Sequence, residues 1–131
     1  MDFMTIGLWI VQGLLGFAFL AAGGMKVSQP REKLIEQMGF IDDIGMPATR
    51  TIGALEILGG LGLILPVALN ILPYLTPLAA LGLMIVMVGA MATHVRRGEM
   101  QSLAPNLVLL ILAGVVFFGY SNLLGEVMGL V

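Results

Sequence analysis

The chain contains no cysteine, which excludes disulfides, thiolate metal sites and dithiol electron relays within it. It has a single histidine, His94. One histidine and no thiol fall short of the ligand sets usual for zinc or copper, so no metal site is expected. No nucleophile, base and orienting group can be assembled either: Ser28, Ser102 and Ser121 fall near the ends of apolar stretches, with no second histidine to serve them. No catalytic residue is assigned, and hydrolysis is not expected. Charge is also scarce, at 11% Asp, Glu, Lys and Arg against about a quarter in soluble domains. The formal net charge of -2 and the lack of any long basic run exclude nucleic acid as a partner. Phosphate-loop and dinucleotide fingerprints are missing, since the glycines lie inside apolar stretches with no strand-turn-helix context.

What remains is oil. Hydrophobic residues make up 59% of the 131 positions and the mean hydropathy is +1.04, so the lipid bilayer is the expected solvent. Four apolar stretches stand out, Thr5 to Gly23, Ala48 to Pro66, Tyr74 to His94 and Ala104 to Asn122, each near the roughly 20 residues that cross hydrocarbon as a helix. Helix is favoured because an isolated strand leaves its backbone groups unsatisfied in lipid and the stretches show no period-2 alternation. The expected fold is all-α: one integral membrane domain over residues 1–131, a four-helix bundle with antiparallel neighbours joined by short connections.

All six Lys and Arg residues lie in or beside two connections. Lys26, Arg31, Lys33 and Arg50 flank the one after the first stretch, and Arg96 and Arg97 follow the third. This is a positive-inside pattern, which puts those connections in the cytoplasm, near anionic lipid, and both termini outside it. A cleaved secretory signal is not expected, because the chain starts with acidic Met1-Asp2 and its first stretch runs into Lys26 rather than a small-residue cleavage site.

Between the first two spans, Ser28 to Phe40 reads as a short interfacial helix. Ser28 is its candidate cap and Pro30 suits its first turn; Leu34, Ile35 and Met38 share an apolar side, opposite Arg31, Glu32, Lys33, Glu36 and Gln37. Gly39, Gly45 and Pro47 break the chain before the second span, and Asp42-Asp43 keep that turn in water. Glycines inside the spans, namely Gly13, Gly16, Gly23, Gly53, Gly59, Gly60, Gly62, Gly82 and Gly89, predict close backbone approach or, alternatively, room for a flat ligand. Two hairpins, each running to a basic turn and back, suggest a two-plus-two arrangement about an axis normal to the membrane.

Polar residues at membrane depth carry the functional signal. Glu56 lies about 12 Å along the second span at the helical rise, where a carboxylate costs several kcal/mol unless paired or protonated. It is expected to face the bundle interior, on the same face as Gly53 and Gly60. On the first span Gln12, Gly16, Phe19, Gly23 and Lys26 recur at steps of four and three, forming one stripe. Lys26, Arg50, His94 and Asn106 all belong at the cytoplasmic ends of their helices. Together these residues outline a polar pocket opening toward the cytoplasmic leaflet with Glu56 at its floor. Each member has a plainer reading. Lys26 and Arg50 are long enough to snorkel to the interface, His94 sits beside Arg96 and Arg97 where an interfacial residue belongs, Asn106 is placed to cap the fourth helix, and Gln12 suits interhelical hydrogen bonding.

Several runs resemble the DoxX-like family of small four-span proteins: Phe19-Leu-Ala-Ala-Gly-Gly-Met-Lys26, Gly53-Ala-Leu-Glu56-Ile-Leu-Gly-Gly60 followed by Leu-Ile-Leu-Pro66, Gly89-Ala-Met-Ala-Thr-His94, and Ala104-Pro-Asn106-Leu. The likeness covers nearly the whole chain. It implies a multi-pass protein of a bacterial or archaeal inner membrane. The family is named for a subunit of an archaeal thiosulfate:quinone oxidoreductase, and other members are associated with membrane redox systems. The redox cysteines of some related four-helix proteins have no counterpart here, so quinone contact is the idea that transfers.

Three functions follow as expectations. The first is a site for a quinone or other lipophilic small molecule, with Glu56, His94, Lys26, Asn106, Arg50 and Gln12 as its candidate residues and no covalently bound cofactor. The second is a non-catalytic accessory or assembly subunit that docks on a membrane protein partner or on a second copy of itself, helped by ten adaptable methionines. The third is a small-solute transporter coupled to protons through Glu56.

Overall fold

The structure is a computed structural model that describes residues 2–37, 39 and 41–129, without the side chains of residues 37 and 41–43. The described residues form helices and turns and no strand. In order these are α1 (Phe3–Ser28), α2 (Arg31–Gln37), α3 (Ile41–Leu69), α4 (Leu75–Arg97), a 3-10 turn (Met100–Ser102), α5 (Leu103–Gly119) and α6 (Ser121–Met128). Four stretches are long and apolar enough to cross a membrane: Phe3–Ser28, Ile44–Leu69, Leu75–Arg97 and Met100–Gly119. They pack as an antiparallel ring in which α1 contacts α3, α3 contacts α4, α4 contacts α5 and α5 closes on α1. The sequence expectation of a four-helix bundle is therefore borne out, with each of the first three helices longer than its apolar stretch. Outward positions such as Ile10, Phe17, Leu58, Ile85 and Ile111 are exposed apolar side chains that face lipid.

The core is narrow. Leu15, Phe19, Leu63, Ala80, Leu83, Met87, Ala113 and Val116 fill it. The predicted stripe on α1 matches its buried face, because Gln12, Gly16, Phe19, Gly23 and Lys26 are all buried there. Glycine decides how close α1 and α3 come. A Cβ on Gly23 would stand 2.5 Å from the Gly53 carbonyl oxygen, and one on Gly60 would stand 3.0 Å from the Gly16 carbonyl oxygen, so the two backbones touch at both levels. Gly59 and Gly62 instead make room for side chains of α4, those of Leu83 and Ala79. Gly13, Gly82 and Gly89 differ from expectation, since nothing lies within 4 Å of where their Cβ would be; a small residue permits close approach but only a facing helix produces it.

Four local features depart from the sequence reading. Ser28 does not cap α2: it is the last residue of α1, and its hydroxyl donates to the Gly24 carbonyl oxygen at 2.6 Å, the back-bonding open to serine inside a helix. The helix α2 is shorter than expected and begins at Arg31, with Pro30 just before it and Leu34 fully buried beneath it. The expectations for Met38, Phe40 and the side chains of Gln37, Asp42 and Asp43 fall outside the described residues. The second span reaches back before Ala48, and Ile44–Leu69 is long and apolar enough to cross; near its start Gly45 adopts φ 81° and ψ 168° and interrupts α3. Its carbonyl oxygen is taken by the Thr49 hydroxyl at 2.8 Å.

The fourth span ends at Gly119 rather than Asn122. Tyr120 leaves helical geometry at φ -116° and ψ 12°, and the separate helix α6 follows. This break turns the Tyr120 hydroxyl onto Gln12 Oε1, to which it donates at 2.6 Å, while Gln12 Nε2 donates to the Leu63 carbonyl oxygen at 2.7 Å. Three spans are thus tied together at the end opposite the basic residues. A related closure lies beside it. Pro66 has no N–H for the Gly62 carbonyl four residues back, and the buried Thr76 hydroxyl of α4 donates to that oxygen at 3.1 Å.

Candidate functional site

All six basic residues lie at or near one end of the bundle, and a cavity of about 520 Å³ opens into the helices there. Its position follows from the helix register. The glycine contacts hold α1 against α3, with Gly53 facing the Cβ of Lys26. Side chains on a helix lean toward its N-terminus; because α1 and α3 are antiparallel, Lys26 leans into the membrane and Glu56 leans toward the basic end. They meet. Lys26 Nζ lies 2.8 Å from Glu56 Oε1, and the two side chains are 11% and 3% exposed. The contact is an ion pair between two buried side chains. From Met46, the first residue after the break at Gly45, Glu56 stands about 15 Å along the helix, near the middle of a hydrocarbon core of about 30 Å.

The mouth of the cavity is built by the end of α4. Gly98 takes the left-handed conformation, φ 74°, and stops the helix; the backbone N–H groups of Gly98 and Glu99 return to the carbonyls of Val95 and His94. That reversal is the usual glycine stop. It folds Glu99 back over its own helix, where Oε1 is 3.0 Å from His94 Nδ1 and 3.3 Å from Arg97 Nε. The hydrogen bond from His94, helped by Arg97, holds the Glu99 carboxyl below its ordinary pKa of 4.5. Gly39, in the turn after α2, comes close to Arg97 and Glu99, so the two basic connections meet over the opening.

Four of the six sequence candidates line this cavity: Lys26, Glu56, His94 and Asn106. Asn106 does not cap the start of α5; it sits one turn inside, and its Nδ2 donates to the Ser102 carbonyl oxygen at 2.9 Å. Arg50 stands behind the wall, where Nη1 donates to the Lys26 carbonyl oxygen at 2.9 Å and so closes the last turn of α1. Gln12 lies at the far end of the bundle in the hydrogen-bond chain with Tyr120 and Leu63. The remaining lining is apolar, including Ile44, Ile52, Val86, Met87 and Leu109, with Gly89 presenting bare backbone.

Glu99, Thr93 and Ser102 also line the cavity and were not singled out from the sequence. A signal for Glu99 was present: it is the sole acid between Arg97 and Asn106, and it follows a glycine that stops a helix. Among the described residues no group of three or more metal-ligating acids and histidines comes together.

The lining thus combines a buried acid–base pair, a second pair at the entrance, an amide and an apolar wall. Such a surface can hydrogen-bond a polar head, exchange a proton with it and accommodate a hydrocarbon body. The sequence matches the model of the DoxX-like family over residues 10–116, a stretch that contains every cavity residue and leaves α6 outside. No curated protein and no solved structure matches.

Proposed function

Because this chain belongs to the DoxX-like family of membrane proteins, we propose that the cavity at the basic end of the bundle binds a quinone or another lipophilic small molecule that serves a membrane redox system. The observation that carries this reading is the composition of the cavity. A volume near 520 Å³ is within the range of small-molecule sites, which are mostly apolar with a few placed polar groups. The Lys26–Glu56 pair, His94 and Asn106 supply those polar groups, and Ile52, Val86, Met87 and Leu109 supply the apolar wall.

In this reading Glu56 exchanges a proton with the bound head while Lys26, His94 or Asn106 holds it. A quinone takes up two protons with two electrons on reduction, and an acid and an imidazole in one cavity suit that demand. With no cysteine in the chain, the electrons come from a partner subunit that carries the redox group. The positive-inside rule places the basic end, and so the opening, on the cytoplasmic side with both termini across the membrane.

The test is to purify the protein in mild detergent and identify co-purifying lipophiles by mass spectrometry for wild type, Glu56→Gln and Gly89→Leu. Gly89 lines the cavity and a Cβ there would meet nothing within 4 Å, so leucine is the substitution chosen to fill it. The expected result is a specific lipophile with wild type that is reduced or lost in both variants. An identical, bulk-lipid profile in all three overturns the proposal.

A further inference from the structure

Among the described residues, four ionisable side chains line the cavity, and they stand as two acid–base pairs. Lys26 faces Glu56 at the inner end at 2.8 Å, and His94 faces Glu99 at the mouth at 3.0 Å, with Arg97 on the same Glu99 oxygen. The other bases of this end, Arg31, Lys33, Arg50 and Arg96, do not line it. Sites built for phosphate or carboxylate show the opposite pattern, with several donors of positive charge converging on one point.

Resting on the reading of this cavity as a ligand site, we propose that it selects lipophiles with an uncharged, hydrogen-bonding head and rejects amphiphiles that carry phosphate, carboxylate or quaternary ammonium. An anionic head would have to take Lys26 from Glu56 or His94 from Glu99. The first exchange strands Glu56, at a depth where an unpaired carboxylate is strongly disfavoured, and the second leaves Glu99 to Arg97 alone. A cationic head strands Lys26 in the same way. A neutral carbonyl or hydroxyl breaks neither pair: the Lys26 ammonium has three N–H donors and the Glu56 carboxylate two oxygens, so the inner pair retains capacity for one more hydrogen bond. The Asn106 amide and the Thr93 and Ser102 hydroxyls extend that neutral surface.

The consequence is discrimination against the membrane itself. Phospholipid heads are charged or zwitterionic and in vast excess, yet a charge-balanced cavity leaves them outside while admitting a scarce neutral lipophile. Selectivity here comes from the cost of the wrong occupant as much as from contacts to the right one.

Four probes sharing one alkyl chain test this with the full protein in phosphatidylcholine nanodiscs: a decyl-substituted benzoquinone, its hydroquinone, decyl phosphate and decyltrimethylammonium, with occupancy read by native mass spectrometry. The neutral pair is expected to bind wild type at least about tenfold more tightly than either ion. Glu99→Gln removes one negative charge from the mouth, outside the hydrocarbon, and should raise the affinity for decyl phosphate roughly tenfold relative to that for decyltrimethylammonium. Equal or tighter binding of decyl phosphate by wild type overturns the selectivity and leaves a ligand site standing. Binding of none of the four overturns the ligand site and this inference with it.

Discussion

Lys26 of α1 and Glu56 of α3 form an ion pair at 2.8 Å inside the bundle, thirty residues apart in sequence and joined by the approach of Gly23 to Gly53. Removing one member leaves the other unpaired in a low-dielectric site, whereas replacing both by apolar groups removes the problem. Glu56→Leu alone or Lys26→Met alone should therefore lower stability by about 3 kcal/mol, and the double variant should recover most of it or exceed wild type. Unfolding midpoints in detergent for the four proteins give the cycle. A stabilising Glu56→Leu single variant with unchanged ligand binding would show that the pair is neither structural nor functional.

The glycines make a second prediction because the structure divides them into two groups. Gly23→Ala should destabilise by about 1–3 kcal/mol by overpacking, since its Cβ would lie 2.5 Å from the Gly53 carbonyl oxygen. Gly82→Ala meets nothing within 4 Å and should be neutral or stabilising by up to about 1 kcal/mol through helix propensity. Similar effects at the two sites would mean that α1 and α3 are not as close as described.

How much of this was legible in the sequence depends on the range of the interaction. The stripe Gln12, Gly16, Phe19, Gly23 and Lys26 was readable because helical periodicity is local, and it is the buried face of α1. Glu56, His94, Lys26 and Asn106 share a cavity because topology and the positive-inside pattern already put them at one end. What could not be read is the azimuth of each helix. Arg50 satisfies the same depth rule, yet it caps α1 from behind; Gln12 shares the buried stripe with Lys26 but lies about four turns earlier, and it bonds Tyr120 at the far end. The break at Tyr120 comes with a long-range bond to Gln12, whereas the fold-back of Glu99 is local and had its clue in Gly98.

Thr76 and Pro66 offer a test of the closed end. Thr76→Val should cost about 1 kcal/mol by leaving the Gly62 carbonyl oxygen without a donor. Pro66→Ala restores an N–H four residues after Gly62, so Thr76→Val should cost little in that background. An equal cost of Thr76→Val in both backgrounds, measured by unfolding in detergent, would remove the hydrogen bond from the explanation.

The entrance should respond to acid. The Glu99 carboxyl is held below 4.5 in the folded protein, so the folded state binds the proton less readily than the unfolded one. Its contribution is present above that ordinary value and fades as pH falls through the lower folded one. Wild type should lose stability relative to Glu99→Gln as pH falls below about 4.5. A difference that does not change with acidification contradicts the contact with His94 and Arg97.

The chain has no cysteine, so a single introduced thiol reports its own surroundings cleanly. Ser102→Cys places one on the cavity wall. Labelling by a membrane-impermeant maleimide, in vesicles of each orientation and with or without a decyl-substituted benzoquinone, tests the central claim directly. The expected result is labelling from the cytoplasmic face alone, slowed by the quinone in wild-type background and not after Gly89→Leu. Labelling from the opposite face, or a rate the quinone does not change, would contradict a ligand cavity open to the cytoplasm.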